Sequence, residues 1–204
     1  DADAEVDLEG TSWTGVDMSD QRDVFTNGDL SLNGSVAQIS NVAATSVSGD
    51  ADADFVADEY TGADLDKFEV GGSAEIAGEV GLETNASATT TNGNAYSDNE
   101  LQGAIQGVNA NELEIAGNLM LDGNVDMGAS AESTSVDGTA DADNVFEEVA
   151  GLDVEDLDVG GNALVNGTVN MEAAAVAEST GGNAEATYTG EGHEVEGVSL
   201  RHEM

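Results

Sequence analysis

The stretch Asn27-Gly28-Asp29-Leu30-Ser31-Leu32-Asn33-Gly34-Ser35-Val36 decides the fold, because its pattern returns as GSAEIAGEV at 72–80, GNLMLDGNV at 117–125 and GNALVNGTV at 161–169. The first glycines of these copies are 44, 45 and 44 residues apart. Gly49, Gly93, Gly138 and Gly182 repeat at the same 44, 45 and 44, and a third set runs Gly15, Gly62, Gly107, Gly151, Gly197. Three glycine columns in one register identify an internal repeat, the signature of a stacked architecture.

Within a unit the apolar residues alternate with period two, as in a strand. Stepping by the repeat lines up Val24, Phe68, Leu113 and Leu157, then Leu32, Ile76, Leu121 and Val165, then Val36, Val80, Val125 and Val169. Farther along, the inward positions shrink to Ala86, Ala131 and Ala175. The chain has no Pro, so no ladder donor is missing, and its 26 Gly punctuate the strands. Gly72, Gly117 and Gly161 are expected to turn corners at positive φ. The expected fold is all-β, a β-solenoid or a stack of flattened β-sheets built of about four 44–45-residue repeats, with a β-sandwich as the alternative. Each repeat is either two rungs, since Gly28 to Gly49 spans 21 residues and Gly49 to Gly72 spans 23, or one long rung with several corners. The repeats divide one continuous domain into a partial unit 1–14, units 15–61, 62–106, 107–150 and 151–196, and a partial unit 197–204.

Charge narrows the function. Against 43 Asp+Glu the chain carries 3 Lys+Arg, for a net charge of −40 over 204 residues. Lys67, Arg22 and Arg201 cannot neutralise a run of phosphates, which excludes nucleic acid and an anionic membrane surface as partners. No stretch reaches the roughly 20 apolar residues of a spanning helix, so membrane insertion is not expected. The composition resembles that of haloarchaeal proteins, in which salt screens self-repulsion and carboxylates stay hydrated. With no Cys there is no disulfide or thiolate chemistry. The start at Asp1 reads as a mature terminus left by a removed signal peptide, so the expected location is extracellular or on the cell surface.

The ends read as open. Asp1-Ala2-Asp3-Ala4 matches Asp50-Ala51-Asp52-Ala53, and Gly197-Val198-Ser199-Leu200 matches Gly15-Val16-Asp17-Met18. A solenoid interrupted in mid-unit presents rows of unpaired N–H and C=O groups. The expectation is head-to-tail self-association that buries Val6, Leu8, Val198 and Leu200, a heterologous contact that propagates into a filament. Gly160-Gly161-Asn162-Ala163, Gly181-Gly182-Asn183-Ala184 and Gly93-Asn94-Ala95 resemble the Gly- and Asn-bearing repeats of functional-amyloid fibre subunits such as curlin, although Gln21, Gln38, Gln102 and Gln106 form no Gln ladder. That resemblance implies a secreted structural subunit of a biofilm-type matrix. A monomeric acidic adhesin or surface-layer domain with calcium-dependent binding is the alternative.

No enzyme is expected. The two histidines, His193 and His202, are read as solvated, and the few aromatics offer no carbohydrate platform. The expectation is no cofactor, with Ca2+ the one candidate. Asp17, Asp64, Asn109 and Asp153 each follow a unit's opening glycine by two residues, and stacking would set them about 4.8 Å apart. Repulsion along such a column is relieved by diffuse cations or by a bridging divalent ion, which makes Asp17, Asp64 and Asp153 candidate ligands. Glu69, Glu114 and Asp158 form a second acidic column. Thr89-Thr90-Thr91 raises the idea of an ice-binding hydroxyl array, which the other units are not expected to continue. Asn33, Asn85 and Asn166 open Asn-x-Ser/Thr sequons, with Asn33 and Asn166 expected at a corner as glycosylation candidates or as plain polar turns.

Overall fold

A computed structural model describes residues 3–10, 12–19, 24–190 and 195–201, and among them the chain is all-β with no helix. In chain order the strands are β1 (Ala4–Glu9), β2 (Trp13–Met18), β3 (Val24–Thr26), β4 (Leu30–Ser48), β5 (Ala51–Ala57), β6 (Tyr60–Val70), β7 (Ala74–Asn92), β8 (Ala95–Ile115), β9 (Leu119–Asp137), β10 (Ala140–Val159), β11 (Ala163–Ser179), β12 (Ala184–Gly190) and β13 (Val195–Leu200). They form two parallel sheets. Sheet A stacks β1–β3, β5–β6, β8, β10 and β12–β13 as successive layers; sheet B stacks β4, β7, β9 and β11. The chain alternates between the sheets, and each sheet B strand packs between the two sheet A layers that flank it in sequence. The result is a flattened, β-solenoid-like coil.

The columns read from the sequence are the observed register: Val24, Phe68, Leu113 and Leu157 pair across four layers, as do Leu32, Ile76, Leu121 and Val165. Partners in neighbouring layers lie 44 to 47 residues apart. The two-rung reading is therefore corrected. A unit is one coil of two long strands on opposite sheets, because each half-unit pairs only with the same half of the next unit. The N-terminal match also shifts by two residues. Ala4 sits beside Ala51 rather than Ala53, and the Asp50 amide donates to Asp3 Oδ1 at 3.1 Å.

The corners are held from layer to layer by short polar side chains. Asn94 N donates to Asp50 Oδ1 at 2.7 Å and Thr139 N to Asn94 Oδ1 at 3.0 Å; at the other corner Ser73 N donates to Asp29 Oδ1 at 2.8 Å and Asn162 N to Asn118 Oδ1 at 2.9 Å. Each turn thus satisfies an amide of the next turn, which explains the Asx and Ser residues beside the turn glycines. Positive φ occurs at Gly49 and Gly93 among the described residues, not at Gly72, Gly117 or Gly161. Those three are small for another reason: a Cβ on Gly117 would lie 2.6 Å from the Gly72 carbonyl oxygen, and one on Gly161 2.5 Å from that of Gly117.

The third glycine column has the largest structural role. Gly15, Gly62, Gly107, Gly151 and Gly197 in sheet A face Gly34, Gly78, Gly123 and Gly167 in sheet B, backbone against backbone. A Cβ on Gly78 would fall under 3.0 Å from the Gly107 carbonyl, and one on Gly123 equally close to that of Gly151. This seam divides the interior into two apolar compartments. Phe55 and Tyr60 pack with Val80, Leu82 and Ala88 on one side of it; Leu65, Phe68 and Val70 pack with Ile76, Leu119 and Leu121 on the other. Strict alternation of buried and exposed residues along β7 and β9 keeps the acidic side chains on the outer faces.

Glycines of the two kinds should respond oppositely to the same change. Gly123→Ala forces backbone apart at the seam and should destabilise the fold by more than about 1 kcal/mol, whereas Gly128→Ala, with nothing within 4 Å of the added carbon, should be neutral or stabilising by up to about 1 kcal/mol. Denaturant midpoints of the two variants measure this, and equal shifts would refute the seam.

Candidate functional site: end faces and an acidic ladder

Because the outermost layers are covered on one side only, inward columns that are buried in the middle of the stack surface at its ends. Val6 and Leu8, each 41% exposed, continue the columns of Ala53 and Phe55 at one end, beside Trp13. At the other end Val198 and Leu200 are 39% and 52% exposed over Leu152 and Val154, beside Val195 and Tyr188. The four residues expected at an assembly contact thus lie on the two end faces. Tyr188 packs against Phe146 with ring centroids 5.8 Å apart, and the Arg201 amide donates to the Val154 carbonyl at 2.9 Å, fastening this layer to β10.

The proposed calcium column is in register: Asp17 pairs with Asp64, Asp64 with Asn109 and Asn109 with Asp153. Each member has its own partner. Ser19 donates to Asp17 Oδ1 through hydroxyl and amide, holding that carboxyl below its ordinary range, and Asn109 Nδ2 donates to Asp64 Oδ1 at 3.0 Å. Burial nevertheless pushes Asp64 up. Asp153 is paired with Arg201 Nη2 at 3.2 Å. The neutral Asn109 separates Asp64 from Asp153, while Asp17 and Asp64 are direct neighbours; among the described residues no three acidic or His side chains converge as a metal site. In the second column, Glu69, Glu114 and Asp158 are also in register, and Lys67 Nζ lies 2.6 Å from Glu112 and 3.8 Å from Glu114. Hydrogen bonding from Lys67 lowers Glu112, while its bond with Glu112 raises Glu114.

A denser acidic ladder escaped the sequence reading. Asp7, Asp54, Asp98 and Asp143 stack on the outer face of sheet A, flanked two residues away by Glu5, Asp52 and Asp141. Burial first, then Asp52 and Asp98, pushes the Asp54 carboxyl up to about 7; burial, then Asp143 and Glu100, pushes Asp98 up to about 6; burial and Asp143 raise Asp141. The signal was present as Asp-x-Asp at Asp52 and Asp54 and again at Asp141 and Asp143, a period-two pair on one strand face.

The sequons are not at a corner. Asn33 and Asn166 are exposed in mid-strand on the outer face of sheet B, because their column runs through Ala77 and Asp122 in the strand interior. Asn85 is part of a side-chain ladder, donating to Asn41 Oδ1 at 2.9 Å and accepting from Ser130 Oγ at 2.5 Å. A threonine column does exist, with Thr45, Thr89 and Thr134 in register, but Glu178 follows it and its neighbour mixes Val47, Thr91 and Val136. His193 and His202 lie outside the described residues.

The ladder fixes a pH dependence. A carboxyl raised in the folded state binds more protons there than in the unfolded chain, so its contribution to folding is fully present below its unfolded pKa and is lost as pH rises through its folded pKa. At low salt the melting temperature should rise as pH falls from 8 towards 5, and Asp54→Asn with Asp98→Asn should flatten that rise. A profile unchanged by the double substitution would remove the ladder as its cause.

Comparison with known proteins finds no matching family model, no matching curated protein and no matching solved structure.

Proposed function

We propose that this chain is the structural subunit of an extracellular filament or matrix fibre, assembled head to tail from copies of itself. The observation that carries the reading is the pair of end faces, where Val6, Leu8 and Trp13 at one end and Val195, Val198 and Leu200 at the other surface from columns that are buried in the middle of the stack, through Ser97 and Asn99 for Val6 and Leu8 and through apolar residues for the rest. Covering these side chains contributes about 1.5 to 3 kcal/mol for each one fully buried, and the parallel ladder continues through backbone hydrogen bonds. The acidic outer faces favour this over sideways clumping, since a side-by-side contact would set charged faces together against their own repulsion, whereas an end contact covers apolar side chains. The extracellular placement rests on composition and on the resemblance to fibre subunits.

Filaments of the purified chain in molar salt should be about one molecule wide, with fibre diffraction giving a repeat of about 4.8 Å along the axis. Leu8→Lys with Val6→Lys places charge on an end face that is already part-exposed, so it should keep the far-UV circular dichroism of the fold and abolish filaments. Isolated particles from the unsubstituted chain would favour the adhesin-like alternative. Filaments unaffected by the two lysines would move the contact away from the ends.

A further inference from the structure

Head-to-tail joining has a layer-count problem in this fold. Among the described residues sheet A has five layers and sheet B has four, interleaved so that a sheet A layer is outermost at each end of them. Simple translation of one copy onto the next sets β12–β13 against the incoming β1–β3 and leaves β11 and the incoming β4 two strand spacings apart, about 9.6 Å, with both edges unpaired. Rotating the incoming copy by half a turn about the stack removes the gap by joining sheet A to sheet B. It also stacks arms of unequal length on each other, since a sheet A layer runs from Ala51 to Gly62 before the seam and a sheet B strand only from Ala74 to Gly78, so the corners no longer align.

We propose, resting on the assembly reading above but changing which residues the joint covers, that copies join by strand exchange: the incoming β1–β3 replaces β12–β13 on β10, so that Leu152 and Val154 receive the incoming Val16 and Met18 in place of Val198 and Leu200, and the incoming β4 adds directly to β11. Sheet B then continues like on like. Extending the observed columns, Val165 meets Leu32, Gly167 meets Gly34, Val169 meets Val36, Ala177 meets Ala44 and Ser179 meets Ser46. The seam runs through the joint unbroken, Gly15 of the incoming copy taking the place of Gly197. In sheet A the incoming layer is the better cover. β12–β13 stops at Leu200 and leaves Leu157 and Val159 half-buried, whereas β1–β3 carries Val24 and Thr26 at the positions that stack on them. The displaced layer is the one held by the Arg201 contacts to Val154 and Asp153.

The test pins β12 in place. Asp141 and Glu185 are outward neighbours on β10 and β12, and the chain has no Cys of its own, so Asp141→Cys with Glu185→Cys forms one reducible lock. The expected result is loss of filaments in the oxidised form and their return on reduction, with circular dichroism unchanged between the two. Filament formation undiminished in the oxidised form overturns the exchange and leaves the assembly reading standing. In filaments of the unsubstituted chain, amides of Ala184–Gly190 and Val195–Leu200 should lose the hydrogen-exchange protection they have in the monomer, and retained protection also overturns the exchange. If the unsubstituted chain forms no filaments, the assembly reading fails and the exchange fails with it.

Discussion

The glycine seam is the constraint on which the rest of the structure depends. Two parallel sheets covered with large inward side chains would stand about 10 Å apart; here Gly62, Gly107 and Gly151 meet Gly78, Gly123 and Gly167 at backbone distance. That pinch fixes the lateral alignment of the sheets, since any slide along the strands would drive a Cβ into a carbonyl oxygen. It also sets the size of the two apolar compartments, which explains how a chain with only 4% aromatic residues can fill a core. Small compartments are filled mostly by Ala, Val, Leu and Ile, with Phe55, Tyr60 and Phe68 the largest fully buried side chains.

A second consequence is the division of labour between the faces. Alternation sends nearly every carboxylate outward, and in-register stacking then sets like charges in columns. Some columns are diluted by neutral partners: Asn109 beside Asp64, Asn111 beside Asp66 and Asn170 beside Asp126 each donate an amide N–H to a neighbouring carboxylate. The Asp7, Asp54, Asp98 and Asp143 column has no such dilution within its run of acids, and proton uptake is the remaining local relief. The corners use the same amide chemistry for a different end, passing one Asx-to-amide bond from each turn to the next. Buried polar groups follow the pattern inside as well, where Asn99 reaches Thr84 and Asn144 reaches the Ala129 carbonyl.

End faces follow from the same regularity. A coil whose every turn repeats the last has no intrinsic stop, so its terminal layers present core columns to solvent. The interleaving of five layers with four makes those faces geometrically demanding, because the seam and both ladders have to continue together across any joint.

The repeat, the strand periodicity and the core columns were legible in the sequence, because a parallel stack places each residue beside its own copy one unit away. Spacing alone carried that information. Whether a glycine turns a corner or permits two backbones to touch was not legible, since both demand the same residue. Asn33 and Asn166 read as corner residues from their place after the strand opened by Gly28 and Gly161, yet here Gly34 and Gly167 beside them are seam positions in mid-strand. The one-coil unit, the stacking of Asp54 on Asp98 and the count of layers in each sheet were decided by the tertiary structure, because they depend on which half of the repeat lies on which sheet, and a one-dimensional period does not specify that.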